Sequence, residues 1–345
     1  MAKMTEKENL MRIINGQEPA WVPRKGIVPF ADVDPEQHTP CCVNARAEVF
    51  PPKKGPNGGR ISVFGVEYEP TDSTGGLELP VPNRFILDDI TKWRDVIKTP
   101  SLEGIDWDAI AKKSIEHIDR NETAVEFASQ ASYFQQLMNF MGFTEGLCAM
   151  QEEPEEVLAL YEYLTEYYET IIVNLIDRIK PDLYGMSDDN ATARSPFISR
   201  EMNQKLIVPF QARIAKHAQE RGIPIEMHDC GRCEDFIEDW RGFGVKLWNP
   251  AQVMNDLAGI KKRYGNDFVL VGCWDSSGPA GWPGADEEVV RQGVRDCIDA
   301  FAPGGGFCFW ASFYGAKGDE RARQHAFWIA DEYNKYGRTF YQRQG

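Results

Sequence analysis

Residues 223–234 read IPIEMHDCGRCE, and this segment combines the features of a buried strand, a polar turn and the start of a helix. Its largely apolar first half predicts a strand, which ends at His228-Asp229-Cys230-Gly231. A polar helix is predicted from Arg232 onward. Because α/β proteins build their sites at the carboxyl ends of parallel strands, we expect the imidazole and the thiols of this segment at a functional site.

His228 and Cys230 are the first candidates for metal ligands, because an imidazole and a thiolate two residues apart can both turn toward one ion. Zinc is the metal that this pair of donor types favours. A structural role is the alternative, with a buried cysteine and a histidine that caps the following helix. These ligands do not make a closed set, so a further ligand is expected from elsewhere in the chain.

Short apolar strands alternate with amphipathic helices around this segment. The strands are predicted at residues 182–186, 245–248, 268–272 and 306–311, and the helices at residues 199–221, 255–264, 286–302 and 317–336. Such alternation predicts parallel strands joined by right-handed crossovers. With two or three more units in the N-terminal half, it predicts a single (β/α)8 TIM-type barrel as the one domain of residues 1–345. A doubly wound open sheet is the alternative, but no glycine-rich phosphate loop follows a strand.

The N-terminal region departs from this alternation. Residues 5–8 form a capping-box pattern that begins a helix, and residues 21–30 are predicted to be the first strand. Residues 31–80 are predicted to be an inserted loop and hairpin region, in which Cys41 and Cys42 are loop residues. Within it, residues 61–69 predict a short hairpin or a bulged strand around a central glycine.

The composition excludes several classes of protein. The chain has 345 residues, with 38 Lys or Arg, 53 Asp or Glu and a formal net charge of −15. A nucleic-acid partner is not expected, because no basic stripe is present to bind phosphates. No apolar run approaches the length of a membrane span and the N-terminus lacks a signal-peptide core, so we expect a cytoplasmic protein. Its eight irregularly spaced cysteines are then free thiols or metal ligands.

The strand ends of a barrel converge on one mouth, where catalytic side chains are expected. Asp188 and Asp189 follow a predicted strand, and we expect one of them to coordinate the metal, to protonate a leaving group or to orient a ligand. Capping of the next helix is the structural alternative. Trp248, Trp274 and Tyr314 are expected to contact the substrate, because aromatic rings suit a small, neutral or flat compound.

The third metal ligand is expected at the end of another strand. Cys273 is the first choice, since it directly follows the strand at residues 268–272. Three alternatives remain, which are Cys308 in the next strand, Cys233 in the first turn of the following helix, and a carboxylate.

Three motifs at strand ends resemble the uroporphyrinogen decarboxylase superfamily, and they are His228-x-Cys230-Gly231, Ser187-Asp188-x-Asn190-Ala191 and Val271-Gly272-Cys273-Trp274-Asp275. The opening KENLMRIINGQEPAWVP at residues 7–23 is similar to the start of that family as well. The resemblance spans nearly the whole chain, and it implies a (β/α)8 barrel.

The superfamily contains metal-free decarboxylases and corrinoid-dependent methyltransferases. The decarboxylases receive a porphyrinogen with an arginine-rich N-terminal motif, whereas the matching residues 22–29 here read VPRKGIVP and lack the paired arginines. The coenzyme M enzymes of the other branch carry zinc on a His-x-Cys motif and on a cysteine near the last strand. His228 and Cys230 match the first part, but Phe313-Tyr314-Gly315 stands where the last cysteine is expected.

The resemblance therefore implies a zinc-dependent methyltransferase of the O-demethylase type. Such an enzyme takes a methyl group from a small methoxylated compound, here with an aromatic donor favoured, and passes it to the cob(I)alamin of a separate corrinoid protein. The alternatives are a methylcobamide:thiol methyltransferase, a metal-free decarboxylase and a non-catalytic barrel that binds a corrinoid or another ligand. The methyl donor and the direction of transfer stay open, and a homodimer is compatible with the sequence.

Overall fold

The structure is a computed structural model of the chain, and it describes residues 4–28, 33–71, 78–129, 131–282, 284–312 and 318–343. Its strands are β1 Arg24–Val28, β2 Cys42–Asn44, β3 Lys53–Lys54, β4 Arg60–Ile61, β5 Glu67–Pro70, β6 Glu78–Pro80, β7 Ala124–Ala128, β8 Leu183–Ser187, β9 Ile225–His228, β10 Val245–Ala251, β11 Val269–Cys273 and β12 Phe307–Ser312. Its α-helices are α1 Glu6–Ile14, α2 Trp93–Val96, α3 Trp107–Ile115, α4 Phe134–Met141, α5 Phe143–Glu152, α6 Pro154–Ile179, α7 Arg200–Leu206, α8 Val208–Gln219, α9 Ile237–Gly242, α10 Leu257–Tyr264, α11 Glu287–Phe301 and α12 Glu320–Tyr336.

Eight parallel strands form the larger sheet, in the order β1-β12-β11-β10-β9-β8-β7-β2. The two end strands also approach each other, because the backbone N–H of Cys41, next to β2, donates to the carbonyl of Arg24 on β1 at 2.8 Å. The sheet thus curls into a nearly closed barrel, with helices between successive strands from β7 to β12. The predicted (β/α)8 barrel is confirmed. In the described part of the chain, no helix is long and apolar enough to cross a membrane.

One barrel strand lies where the sequence predicts a loop. Cys42–Asn44 forms β2 and pairs in parallel with β7. The prediction that Cys42 is a loop residue is therefore wrong. A strand of three residues is too short to show a period of two, and only the neighbouring strand makes it regular.

The predicted hairpin around Gly65 is confirmed. β4 and β5 pair in antiparallel fashion, and β3 and β6 extend them to a four-stranded sheet outside the barrel. Gly65 lies in the turn with a φ of 93°, a conformation that glycine adopts without strain.

Helix α1 closes the amino end of the barrel. Thr5 and Glu8 form the predicted capping box, in which each side chain bonds the other residue's backbone N–H. Leu10 and Ile13 of this helix pack against residues at the beginnings of strands, such as Leu183. The opposite, carboxyl end of the barrel is consequently the end available for a site.

The alternation of side chains along β10 decides which residues reach the barrel interior. Leu247 packs inside with Val269 of β11. Trp248 points the other way and packs against Trp240 of α9, with ring centroids 5.9 Å apart. Asn249 faces inward again, in register with His228 of β9.

Candidate metal centre

Three potential ligands meet at the carboxyl ends of β8 and β9. His228 Nε2 lies 3.7 Å from the Cys230 sulfur and 4.0 Å from Asp189 Oδ1. Within the described ranges this is the one group of three or more His, Cys, Asp or Glu side chains whose ligand atoms all lie within 4.8 Å of one another. The side chains of His228 and Asp189 are 40% and 37% exposed, so a substrate can approach the cluster.

Asn249 fixes the tautomer of His228. Its side-chain oxygen, which can only accept, lies 3.0 Å from His228 Nδ1, so Nδ1 carries the proton. The lone pair of Nε2 is then directed toward Cys230 and Asp189. A histidine held in this way through its other ring nitrogen is the usual arrangement of a metal-ligating imidazole.

The third member, Asp189, is anchored by two hydrogen bonds. Its Oδ1 accepts from the backbone N–H of Cys230 at 3.1 Å, and its Oδ2 accepts from Gln135 Nε2 at 3.3 Å. Gly231 lets the following chain pass close by, because its φ is 97° and a Cβ there would lie 2.6 Å from the carbonyl oxygen of Ala191. The loop is therefore shaped to bring the carboxylate beside the thiol.

These residues fit zinc. Nitrogen, sulfur and carboxylate oxygen are the donors that zinc takes, and a tetrahedral ion separates such ligand atoms by roughly 3.3–3.8 Å. Burial raises the pKa of the Cys230 thiol, and the neighbouring Asp189 raises it further. The thiolate form of Cys230 therefore needs a cation beside it. Zinc held by three protein ligands would keep its fourth coordination position open for a substrate.

The structure does not bring Cys273 to this cluster. Gly272 and Cys273 have successive positive φ values of 118° and 58°, which break the alternation of the strand. The Cys273 side chain is buried, and together with Cys297 it lines the space between the end of β11 and α11. Burial and the nearby Cys297 raise the pKa of Cys273, whereas Lys261 of α10 lowers it. In place of Cys273, the cluster with His228 and Cys230 contains Asp189, one of the two predicted catalytic carboxylates.

The two cysteines considered as alternatives also lie elsewhere. Cys308 is buried inside the barrel, where its sulfur is 3.7 Å from that of Cys41. Cys233 is buried beside the loop, and its thiol donates to Asp229 Oδ1 at 3.3 Å and to the Cys230 carbonyl at 3.1 Å. Both thiols have protein partners.

Asp188 binds the start of helix α4. Its carboxylate accepts from the backbone N–H groups of Tyr133, Phe134 and Gln135 at 2.9–3.1 Å, and the residue is buried. Burial raises its pKa to about 6, although these three amides act in the opposite direction. These contacts agree with the structural alternative for Asp188, which is helix capping. The capped helix is α4, from an earlier part of the chain, and not the helix that follows Asp188.

Replacing Asp188 by alanine is expected to lower the free energy of unfolding by about 2–4 kcal/mol, because three backbone amides, two of them in buried hydrogen bonds, lose their acceptor. Urea denaturation measures this change. Asp275→Ala is the matched control, since Asp275 also follows a strand and accepts from two backbone amides, but it is exposed. Equal stability of the two variants would contradict the anchoring role.

The predicted aromatic contacts lie outside the barrel interior where the structure describes them. Trp248 is buried behind the wall of the barrel, and its Nε1 donates to the Asp229 carbonyl at 3.0 Å. Trp274 packs edge-on against Phe309 at 6.4 Å and lines a cavity of about 590 Å³ beside α11. Tyr314 lies outside the described residues.

A charged cluster that the sequence analysis did not single out occupies the interior. Lys25 forms ion pairs with Glu126, at 2.9 Å, and with Glu226. Burial acts against the ammonium charge, but the two glutamates outweigh it and raise the pKa of Lys25. Burial raises the pKa of Glu226 to about 7, because Lys25 offsets only part of it and Glu126 repels the charge. The position of Glu226 two residues before His228 is the sequence signal that would have placed it on the inner face.

The fold and the position of the cluster define a (β/α)8-barrel protein with a candidate site at the carboxyl ends of its strands. The family model for uroporphyrinogen decarboxylase (URO-D) matches residues 114–311, which make up more than half of the chain, and the protein belongs to this family.

A comparison with solved structures finds a similar fold in a methyltransferase from Methanosarcina mazei. The TM-score is 0.65 and the sequence identity is 13%, and the superposition covers 96% of this chain and 99% of that one. At this identity the similarity establishes the fold. No curated protein sequence matches the chain.

Proposed function

We propose that the protein is a zinc-dependent methyltransferase, which moves a methyl group from a small methoxylated compound to the cob(I)alamin of a corrinoid protein. The observation that carries the proposal is the cluster of His228, Cys230 and Asp189 at an accessible barrel mouth. A metal-free decarboxylase has no need of such a ligand set. Membership in the URO-D family and the fold shared with a methyltransferase support the proposal.

In the proposed reaction, the methyl–oxygen bond breaks and its electron pair stays on oxygen. The methyl group passes to the cob(I)alamin of the partner, and the oxygen takes up a proton. When bound, zinc supplies Lewis-acid stabilisation of the negative charge that develops on this oxygen.

The residues of the chain hold and orient this site. His228 and Cys230 are assigned as ligands, and Asp189 takes the third position predicted for Cys273. Asn249 holds the imidazole through Nδ1, so that Nε2 faces Cys230 and Asp189, where the ion would bind. Since Asp189 is engaged as a ligand and Asp188 by helix α4, we assign the proton to solvent at the exposed mouth.

The test is methyl transfer to free cob(I)alamin under anaerobic conditions. Purified, zinc-loaded protein is mixed with chemically reduced cobalamin and one of several methoxybenzenes, and methylcobalamin is followed by its absorbance. We expect product formation that depends on the protein and falls at least about tenfold in His228→Ala. Asp275→Ala should keep the rate. If zinc-loaded protein forms no methylcobalamin from any of the donors, the proposal is overturned.

A further inference from the structure

The cluster of Lys25, Glu126 and Glu226 spans the inside of the barrel. The three residues lie on β1, β7 and β9, none of which are neighbours in the sheet. Their ion pairs can therefore form only across the barrel interior. The Lys25 side chain is the most exposed of the three at 16%, compared with 8% for Glu126 and 3% for Glu226.

This cluster lies one layer beneath the candidate metal centre. Glu226 and His228 are two residues apart on β9, so both side chains face the interior, and their positions differ by roughly 6.6 Å along the strand. That separation is comparable to the width of one aromatic ring. A small ring-shaped ligand at the mouth would therefore extend from the metal ligands to the level of Glu226, with which Lys25 is ion-paired.

The backbone around the cluster leaves room for it. Gly185 on β8 stands beside Glu126, and a Cβ at this position would lie only 2.6 Å from Glu126 Oε1. Any larger residue would displace the carboxylate. The neighbouring strand thus accommodates the buried charge with a glycine in its middle.

The charged groups of the cluster determine which functional group of a ligand can bind to them. An ammonium group has three N–H donors, and the two glutamates account for two of them. Two carboxylates against one ammonium disfavour a further anion. A neutral hydroxyl group fits, because it can accept from Lys25 and donate to Glu126.

We propose that Lys25 and Glu126 form the floor of the donor pocket and bind a hydroxyl group of the substrate, which makes methoxyphenols its preferred substrate class. This inference rests on the proposed function for the identity of the reacting methoxy group. A site built to bond a hydroxyl discriminates strongly against an analogue without one, since its buried polar groups are then left unpaired. Carboxylated donors such as methoxybenzoates are disfavoured, because the glutamates already pair with the ammonium group and leave no net positive charge for a carboxylate.

Binding measured by isothermal titration calorimetry tests the inference without any methyl transfer. Wild-type protein is titrated with 4-methoxyphenol, anisole and 4-methoxybenzoate. We expect 4-methoxyphenol to bind at least about tenfold more tightly than the other two. Lys25→Met should remove this preference, whereas Lys7→Met, which alters an ion-paired lysine on α1, should retain it.

Loss of Lys25 leaves two glutamates facing each other, so folding of the variant needs its own control. The double variant Lys25→Met with Glu226→Gln removes that repulsion, and circular dichroism checks its folding. Two results would contradict the proposed binding of a hydroxyl group by Lys25 and Glu126. One is equal binding of anisole and 4-methoxyphenol to wild type, and the other is a preference for 4-methoxyphenol that survives in the folded double variant. A preference for 4-methoxyphenol without methyl transfer to cobalamin would support the hydroxyl-binding role of Lys25 and Glu126 and would contradict the proposed reaction.

Discussion

Cys230→Ser and His228→Ala are expected to purify without zinc, whereas wild type is expected to carry about one ion per chain, as befits a site with one set of ligands. Each variant removes one of only three protein ligands. Loss of a residue that merely orients a ligand costs about 10–100-fold in metal affinity, so loss of a ligand should cost at least about 100-fold. Elemental analysis after dialysis against a weak chelator measures the zinc content.

Cys273→Ser is the matched control for this experiment, because it makes the same substitution at the buried thiol beside α11. It should retain the full zinc content. Asp189→Asn should bind zinc more weakly than wild type, since an amide oxygen is a poorer donor than a carboxylate. Loss of zinc from Cys273→Ser with full retention in Asp189→Asn would contradict the ligand set.

Trp248→Ala is expected to lower the free energy of unfolding by about 3–5 kcal/mol, the usual cost of removing a large buried aromatic side chain. Trp248 is fully buried, it packs against Trp240, and its indole N–H donates to the Asp229 carbonyl at 3.0 Å. Trp248→Phe keeps most of the packing and loses the hydrogen bond, so about 1–2 kcal/mol is expected. Urea denaturation gives both values.

Trp282→Ala provides the comparison, because Trp282 is 67% exposed in the loop after β11. A change within about 0.5 kcal/mol is expected there, as for surface substitutions in general. The sequence alone suggested that Trp248 contacts the substrate. Native stability of Trp248→Ala together with loss of donor binding would favour that role over the packing role seen in the structure.

Much of the barrel could be predicted from the sequence, because its C-terminal half consists of local patterns. Each strand is a short apolar run and each helix has its own apolar face, and both are visible within a window of about a dozen residues. β2 was missed because a strand of three residues carries no such pattern. Its regularity comes from pairing with β7, a contact between residues about 80 positions apart.

The candidate site could likewise be predicted from the sequence only in part. His228 and Cys230 could be predicted as partners, because their spacing on one strand end places them together in any fold of this class. Asp189 as the third member could not be separated from Asp188, since both follow the same strand. The hydrogen bonds decided between them, as Asp188 is held by the amides of α4 and Asp189 by the N–H of Cys230.

The sequence by itself determined the alternation of strands and helices, the end of the barrel that carries the polar residues, and the pairing of imidazole with thiol, because each of these depends on neighbours along the chain. Only the tertiary structure decided that Cys273 lies away from the metal cluster and that Lys25 forms ion pairs with Glu126 and Glu226. The first outcome depends on two positive φ values, and the second on closure of the barrel. Both follow from contacts between distant segments, which no local pattern encodes.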